Sequence, residues 1–352
     1  MTMKVFRWIK SLLMCLLLLG MVSCIKDNIS GNDAVKTYLY VDVASRVDGS
    51  TDPADQIYHL KVCAYNSNHE LVGYKEVTQN TDQPIEMDLT ESGQITFLVA
   101  ANEEYGTTEA VSLDYNQFLA TKLTGFYKHD DVYVPSMSNP EKKSNGEENR
   151  VFTVNENECT NVTIELERAV SRICFYFAKT KGAENLEIKS IQLNRGVGHG
   201  YLLPPADAWN YENYSEEQLN SIFATPSGKV MILNESVPVS KVVEESENIT
   251  VENSQESIKY FVFPCPYGST NPDEFKWPND ETYSRDYSYY VNMEYVVDGH
   301  SFTKFIYLPT VGQNQNINIL CKIPPKNVEV QPEFIVSTVE WANVTNPDIV
   351  FD

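Results

Sequence analysis

The stretch that decides the fold is "NVTIELERAVSRICFYFAK", residues 161–179. In its first half Val162, Ile164 and Leu166 alternate with Thr163, Glu165 and Glu167. Side chains on a strand point to opposite faces in turn, so this pattern gives one apolar and one polar face. The second half, from Ala169 to Lys179, reads as a further strand. The break at residues 167–171 is therefore placed as a domain boundary.

Working outward, a period of two recurs nearly everywhere. In "TYLYVDVASR" (37–46), Leu39, Val41 and Val43 oppose Tyr40, Asp42 and Ala44. "QIYHLKVCAYN" (56–66) and "HELVGYKEV" (69–77) read as a hairpin. "QITFLVAAN" (94–102) is almost continuously apolar, as expected of a strand in the middle of a sandwich. Further strands are expected in 186–195, 228–234, 258–266, 316–324 and 336–344. Residues 287–309 form a hairpin, with Asp298-Gly299 suited to a tight turn. Helical signals are confined to 112–123 and 215–224. The polar stretch 138–150 reads as an exposed loop. Residues 266–286 form a second long excursion, with Phe275 and Trp277 as its anchors, or Trp277 as an exposed glycan-binding ring. Many short strands separated by turn signals define an all-β class of sandwiches and argue against a parallel α/β sheet. Two domains follow from the length, with one large sandwich as the alternative.

The N-terminus carries Lys4, Arg7 and Lys10 ahead of "SLLMCLLLLGMVS". Its apolar run falls well short of the roughly twenty residues that a spanning helix needs. Residues 1–23 therefore read as a signal peptide. Cutting between Ser23 and Cys24 exposes a cysteine, which resembles a bacterial lipobox with Met21 in place of the usual leucine. Cys24 is then the acylated residue and 24–36 a lipidated tether; two or more acyl chains hold a protein durably on a membrane. The other reading is an ordinary signal peptide with an incidental cysteine.

The full chain carries 27 basic and 49 acidic residues among 352. With the three basic residues of 1–23 removed, 24 against 49 leave a net charge of −25. Such a surface repels nucleic acid and anionic lipid. Cys63, Cys159, Cys174, Cys265 and Cys321 show no metal-ligand spacing. Cys63, Cys174 and Cys321 lie in apolar runs and read as buried thiols, with one disulfide still open in an exported protein. His59, His69, His129, His199 and His300 form no paired metal motif. "KHDD" (128–131) reads as a solvated loop, and His59 as a partly buried side chain satisfied by hydrogen bonds. "NRGVGHG" (194–200) precedes no helix opening, so it reads as a turn or bulge and not a phosphate loop. No nucleophile elbow or nucleotide-binding loop is found, and neither catalysis, a cofactor nor a metal is expected.

The order of these segments resembles the fimbrillin superfamily of Bacteroidetes, the subunits of type V pili. The likeness lies in the lipobox cysteine, the opening strands, "QITFLVAANEE", "LERAVSRICFYF" with Arg168-Ala169-Val170, "GYLLPP", "FIYLPT", and a tail bearing Trp341. It implies two transthyretin-like β-sandwich domains in tandem, 37–168 and 169–352. It further implies an outer-membrane, surface-exposed lipoprotein that enters a fimbrium and serves adhesion. In polymerising members an arginine-specific protease removes the first strand, and a neighbouring subunit donates a replacement. Arg46 and Val47 flank the matching candidate cleavage site, and the segment around 333–352 is the candidate donor. Arg46 as a plain surface arginine is the alternative at that position. The implied partners are other fimbrial subunits, the outer membrane, and a host protein or glycan. The alternatives are a lipid-retaining anchor subunit, or a surface lipoprotein that binds a glycan or host protein without polymerising.

Overall fold

The computed structural model describes residues 35–43, 52, 56–78, 84–103, 113–130, 132–156, 159–194, 199–203, 229–265, 289–326 and 332–341. Their strands, in chain order, begin with β1 (Val35–Val43), β2 (Leu60–Tyr65), β3 (Leu71–Val77), β4 (Ile85–Leu89) and β5 (Gly93–Ala101). A short helix, α1 (Tyr115–Leu119), comes next, followed by β6 (Lys122–Leu123), β7 (Tyr127–His129), β8 (Val132–Val134), β9 (Met137–Ser138), β10 (Val151–Val154) and β11 (Thr160–Arg168). After β11 come β12 (Ser171–Thr180), β13 (Leu186–Asn194), β14 (Gly200–Tyr201), β15 (Lys229–Leu233), β16 (Val237–Pro238) and β17 (Val242–Val243). The last are β18 (Gln255–Val262), β19 (Tyr290–Val297), β20 (His300–Tyr307), β21 (Gln315–Ile323) and β22 (Glu333–Glu340). The protein is all-β, as the periodicity implies.

The first strand set makes an eight-stranded sheet in the order β3-β2-β5-β9-β11-β1-β4, with β10 added on β5. Its two ends meet: the Thr90 N–H donates to the Val72 carbonyl at 2.9 Å. Gly73 of β3 lies so close to β4 that a Cβ there would stand 2.4 Å from Leu89 Cδ2. The sheet thus wraps around a core that includes Leu39, Val62, Met87, Phe97, Ile164 and Leu166. The strands after β11 form two five-stranded sheets, β17-β12-β21-β22 with β18 on β12, and β15-β13-β19-β20 with β16 on β13.

A second core joins the two sets. Cys63, Tyr65, Leu98 and Ala100, from the outer face of β2 and β5, lie in one buried cluster with Ile173, Phe175, Phe177, Ile191, Val291 and Ile319. β2 and β5 are therefore apolar on both faces, which explains the nearly unbroken run of "QITFLVAAN". Phe126 stacks on Phe263 at 5.2 Å, and the Ser138 hydroxyl donates to the Leu202 carbonyl at 2.5 Å, adding further ties between the sets.

Two expectations need correction. The helix expected over 112–123 is only α1, because Lys122 and Leu123 extend to pair with Tyr201 and Gly200 of β14. The stretch 138–150 is not simply an exposed loop, since Asn139 and Asn149 are fully buried within it. The Asn139 carboxamide accepts from Val99 N at 2.8 Å and donates to the carbonyls of Phe97 and Asn149. Asn149 accepts from Glu165 N at 2.8 Å and returns a bond to the Glu165 carbonyl at 2.7 Å. These amides stand in for a missing strand. They satisfy backbone groups that would otherwise be buried without partners. The hairpin at Asp298-Gly299 is as expected, with both residues at positive φ (48° and 80°). The expected helix 215–224 and the anchors Phe275 and Trp277 lie outside the described residues.

Candidate functional site: the first strand and the seat of the last

β1 is an interior strand. It pairs in parallel with β11 through seven residue pairs, Thr37↔Thr160 to Val43↔Leu166. On its other side it pairs antiparallel with β4 through five, Val35↔Leu89 to Leu39↔Ile85. Val35, Thr37 and Leu39 face the core and are buried, whereas Lys36 and Tyr40 are exposed. On the outer face Lys36 Nζ donates to Glu86 Oε1 at 2.9 Å, a solvent-screened tie to β4. If β1 were absent, the edges of β11 and β4 would present unpaired backbone groups. Beside them would lie an apolar slot floored by Val162, Ile164, Met87 and Leu89. A strand-shaped ligand satisfies both the edges and the slot.

β22 is built differently. It pairs only with β21, through eight residue pairs from Lys322↔Glu333 to Gln315↔Glu340, and forms the end of its sheet. The next residue, Trp341, is buried in a seat. Phe261 stacks on its ring at 5.8 Å and 17°. The guanidinium carbons of Arg168 and Arg172 lie 4.7 and 4.3 Å from the ring centroid. Arg168 Nη1 donates to Asn314 Oδ1 at 2.9 Å. Arg172 donates through Nε to Asn316 Oδ1 at 2.8 Å and through Nη1 to Asp52 Oδ2 at 2.9 Å. The backbone closes the arrangement: Trp341 N donates to the Asn314 carbonyl, and Asn314 N to that of Val170. Two buried cations persist because each has hydrogen-bond acceptors and an aromatic face, and a guanidinium is weakly hydrated.

The sequence singled out Arg168 and Trp341 separately but not as one assembly, since they are brought together only by tertiary folding. Ser23, Cys24, Arg46 and Val47 lie outside the described residues. His59 is buried, with Nε2 2.6 Å from Glu76 Oε1. His129 stacks on Tyr58, and no group of three or more potential metal ligands occurs among the described residues. Gly200 serves close packing: a Cβ there would meet the Phe263 ring at 2.5 Å. The five cysteines at 63, 159, 174, 265 and 321 are free. Burial raises the thiol pKa of Cys63 to about 11 and pushes Cys174 and Cys321 upward as well, so these are inert core thiols.

No family model matches the chain, and no curated protein matches it. Solved structures do. A candidate cell adhesion protein from Bacteroides eggerthii is 12% identical, with 90% of this chain and 98% of that one covered at a TM-score of 0.50. The tip fimbrial protein Mfa3 of Porphyromonas gingivalis, truncated at its C-terminus, is 16% identical over 87% of this chain and all of that one, at 0.49. The fimbrilin FimA of the same organism is 12% identical over 89% and 98%, also at 0.49. At these identities the likeness concerns the fold. The chain is similar in fold to the Bacteroides protein, and the resemblance to the fimbrillin superfamily stands at that level.

Proposed function

We propose that this chain is a structural or adhesive subunit of bacterial surface fimbriae, not an enzyme. In this reading it is exported to the outer membrane through Cys24 and assembles by strand exchange. Residues 37–168 and 169–352 are its two sandwich domains. One observation carries the reading: β1 fills an interior slot between β11 and β4, and Arg46 follows it by three residues. Cleavage after Arg46 would sever exactly one interior strand from the chain and leave the slot to a neighbouring subunit. On the donor side, 333–340 is already engaged as β22 and Trp341 is seated. A donor drawn from 333–352 must therefore either begin beyond Trp341 or give up both ladder and seat.

The test is the N-terminus of the protein from native cells, by intact mass and terminal peptide mapping. A chain beginning at Val47 is expected for a subunit built into the fibre. An acylated Cys24 on an otherwise intact chain would replace this reading with that of an anchor subunit or a non-polymerising lipoprotein. A start at neither residue would remove the proposed processing altogether.

A further inference from the structure

β1 contains a residue that does not suit its place. Thr37 is fully buried between the inward-facing Val35 and Leu39, and its hydroxyl has no hydrogen-bond partner among the described residues. Its cross-strand neighbours are Thr160 of β11 and Met87 of β4. The Thr37 backbone is bound into the sheet, so the defect lies in the side chain alone. A buried hydroxyl without a partner weakens the strand that carries it, whereas valine has the same shape without the defect.

We propose that Thr37 is a specificity-determining residue of the β1 slot. It makes the resident strand the weaker of two occupants and favours a donated strand that places a β-branched aliphatic residue at this position. The donor belongs to a second copy of the chain, whose segment beyond Trp341 includes Ile349 and Val350. This rests on the strand-exchange reading above and adds a direction to it. Before cleavage β1 wins because it is covalently attached and its effective concentration is high. After cleavage that advantage is gone, and the hydroxyl tips the competition toward the incoming strand.

Two measurements separate this inference from the reading beneath it. The first is the unfolding equilibrium of the uncleaved chain carrying Thr37→Val or Thr37→Ser. Val is expected to raise the folding equilibrium constant by about 5- to 150-fold, the usual cost of stranding a buried hydroxyl. Ser, which keeps the hydroxyl and loses the methyl, is expected to lower it. No gain with Val overturns the proposal.

The second uses the full chain with a protease site engineered into 44–50. After cleavage, release of the strand is followed in competition with a synthetic 35–43 peptide bearing Thr37→Val. The Val peptide is expected to displace the native strand and to outcompete the unsubstituted 35–43 peptide by the same factor. Equal competition by the two peptides overturns the proposal. A strand that no peptide displaces, in a chain that Val nonetheless stabilises, overturns it together with the strand-exchange reading.

Discussion

The first and last described strands are held by opposite means. β1 lies between two neighbours and buries its inner face, so the sheet around it depends on its presence. β22 has one neighbour, and its security comes from the aromatic residue that follows it. An interior strand is costly to lose because its removal orphans two ladders and opens a core. An edge strand is cheaper to lose, unless one large side chain anchors it. The molecule thus keeps its most replaceable-looking strand in an interior position and locks its most exposed one.

Deleting residues 24–46 without supplying a replacement strand is the harshest test of this contrast. It is expected to cost more than about 5 kcal/mol from lost apolar burial and ladder bonds. The first strand set should lose its cooperative transition and bind a hydrophobic dye. Deleting 333–352 should leave a folded monomer and abolish fibres seen by electron microscopy. If both deletions destabilise the fold equally, the contrast between interior and edge is wrong.

Trp341→Ala should come next, at about 3–5 kcal/mol by denaturant unfolding, as for other buried Trp truncations. It empties the seat and leaves two guanidiniums without their shared face. Arg168→Ala should be partly non-additive with it in a double-mutant cycle, because the two side chains touch. Full additivity would show that the ring and the arginine act independently.

Gly73→Ala sharpens the description of the wrapped sheet. The added methyl would press on Leu89 Cδ2 at 2.4 Å and Met87 Cε at 2.8 Å. A loss of about 1–3 kcal/mol is expected from overpacking, measured by thermal unfolding. A neutral result would mean that β3 and β4 separate easily.

The smallest effect concerns Glu148. Its carboxyl is held down to about 2, first by the hydrogen bond from Lys142 and then by the backbone N–H of Arg150, with Val151 adding a further bond. The ordinary value is 4.5, so the folded form favours the ionised group. The stabilisation is complete above about 4.5 and is lost as the pH falls through about 2. Amide exchange at 149–151 should therefore accelerate selectively across that window, and Glu148→Gln should flatten the dependence.

Much of this was readable from single segments. Alternation located the strands because each side chain's face is a local matter. The partners were not local. β1 finds β11 more than a hundred residues away, and nothing in "TYLYVDVASR" names that neighbour or its parallel direction. The same non-local pull shortened the helix at 112–123, where β14 recruits Lys122 and Leu123 into a ladder. Asn139 and Asn149 looked like loop residues because asparagine is common in turns. Their role as substitutes for backbone emerges only when Phe97, Val99 and Glu165 are placed beside them. Of the candidate site, Arg168 and Trp341 were visible as residues, while the ring seat they build was not.

The parallel pairing of β1 with β11 also has a mechanical consequence. A pull on the chain ahead of Val35, resisted through β12, enters at one end of the paired strands and leaves at the other. That load runs along the ladder and stresses its bonds together, in shear, so that no single bond yields first. A peeling load on β22, directed away from β21, would instead open that ladder one bond at a time, with Trp341 as its stop. The uncut molecule is therefore built to be strongest against tension applied from its own N-terminal side.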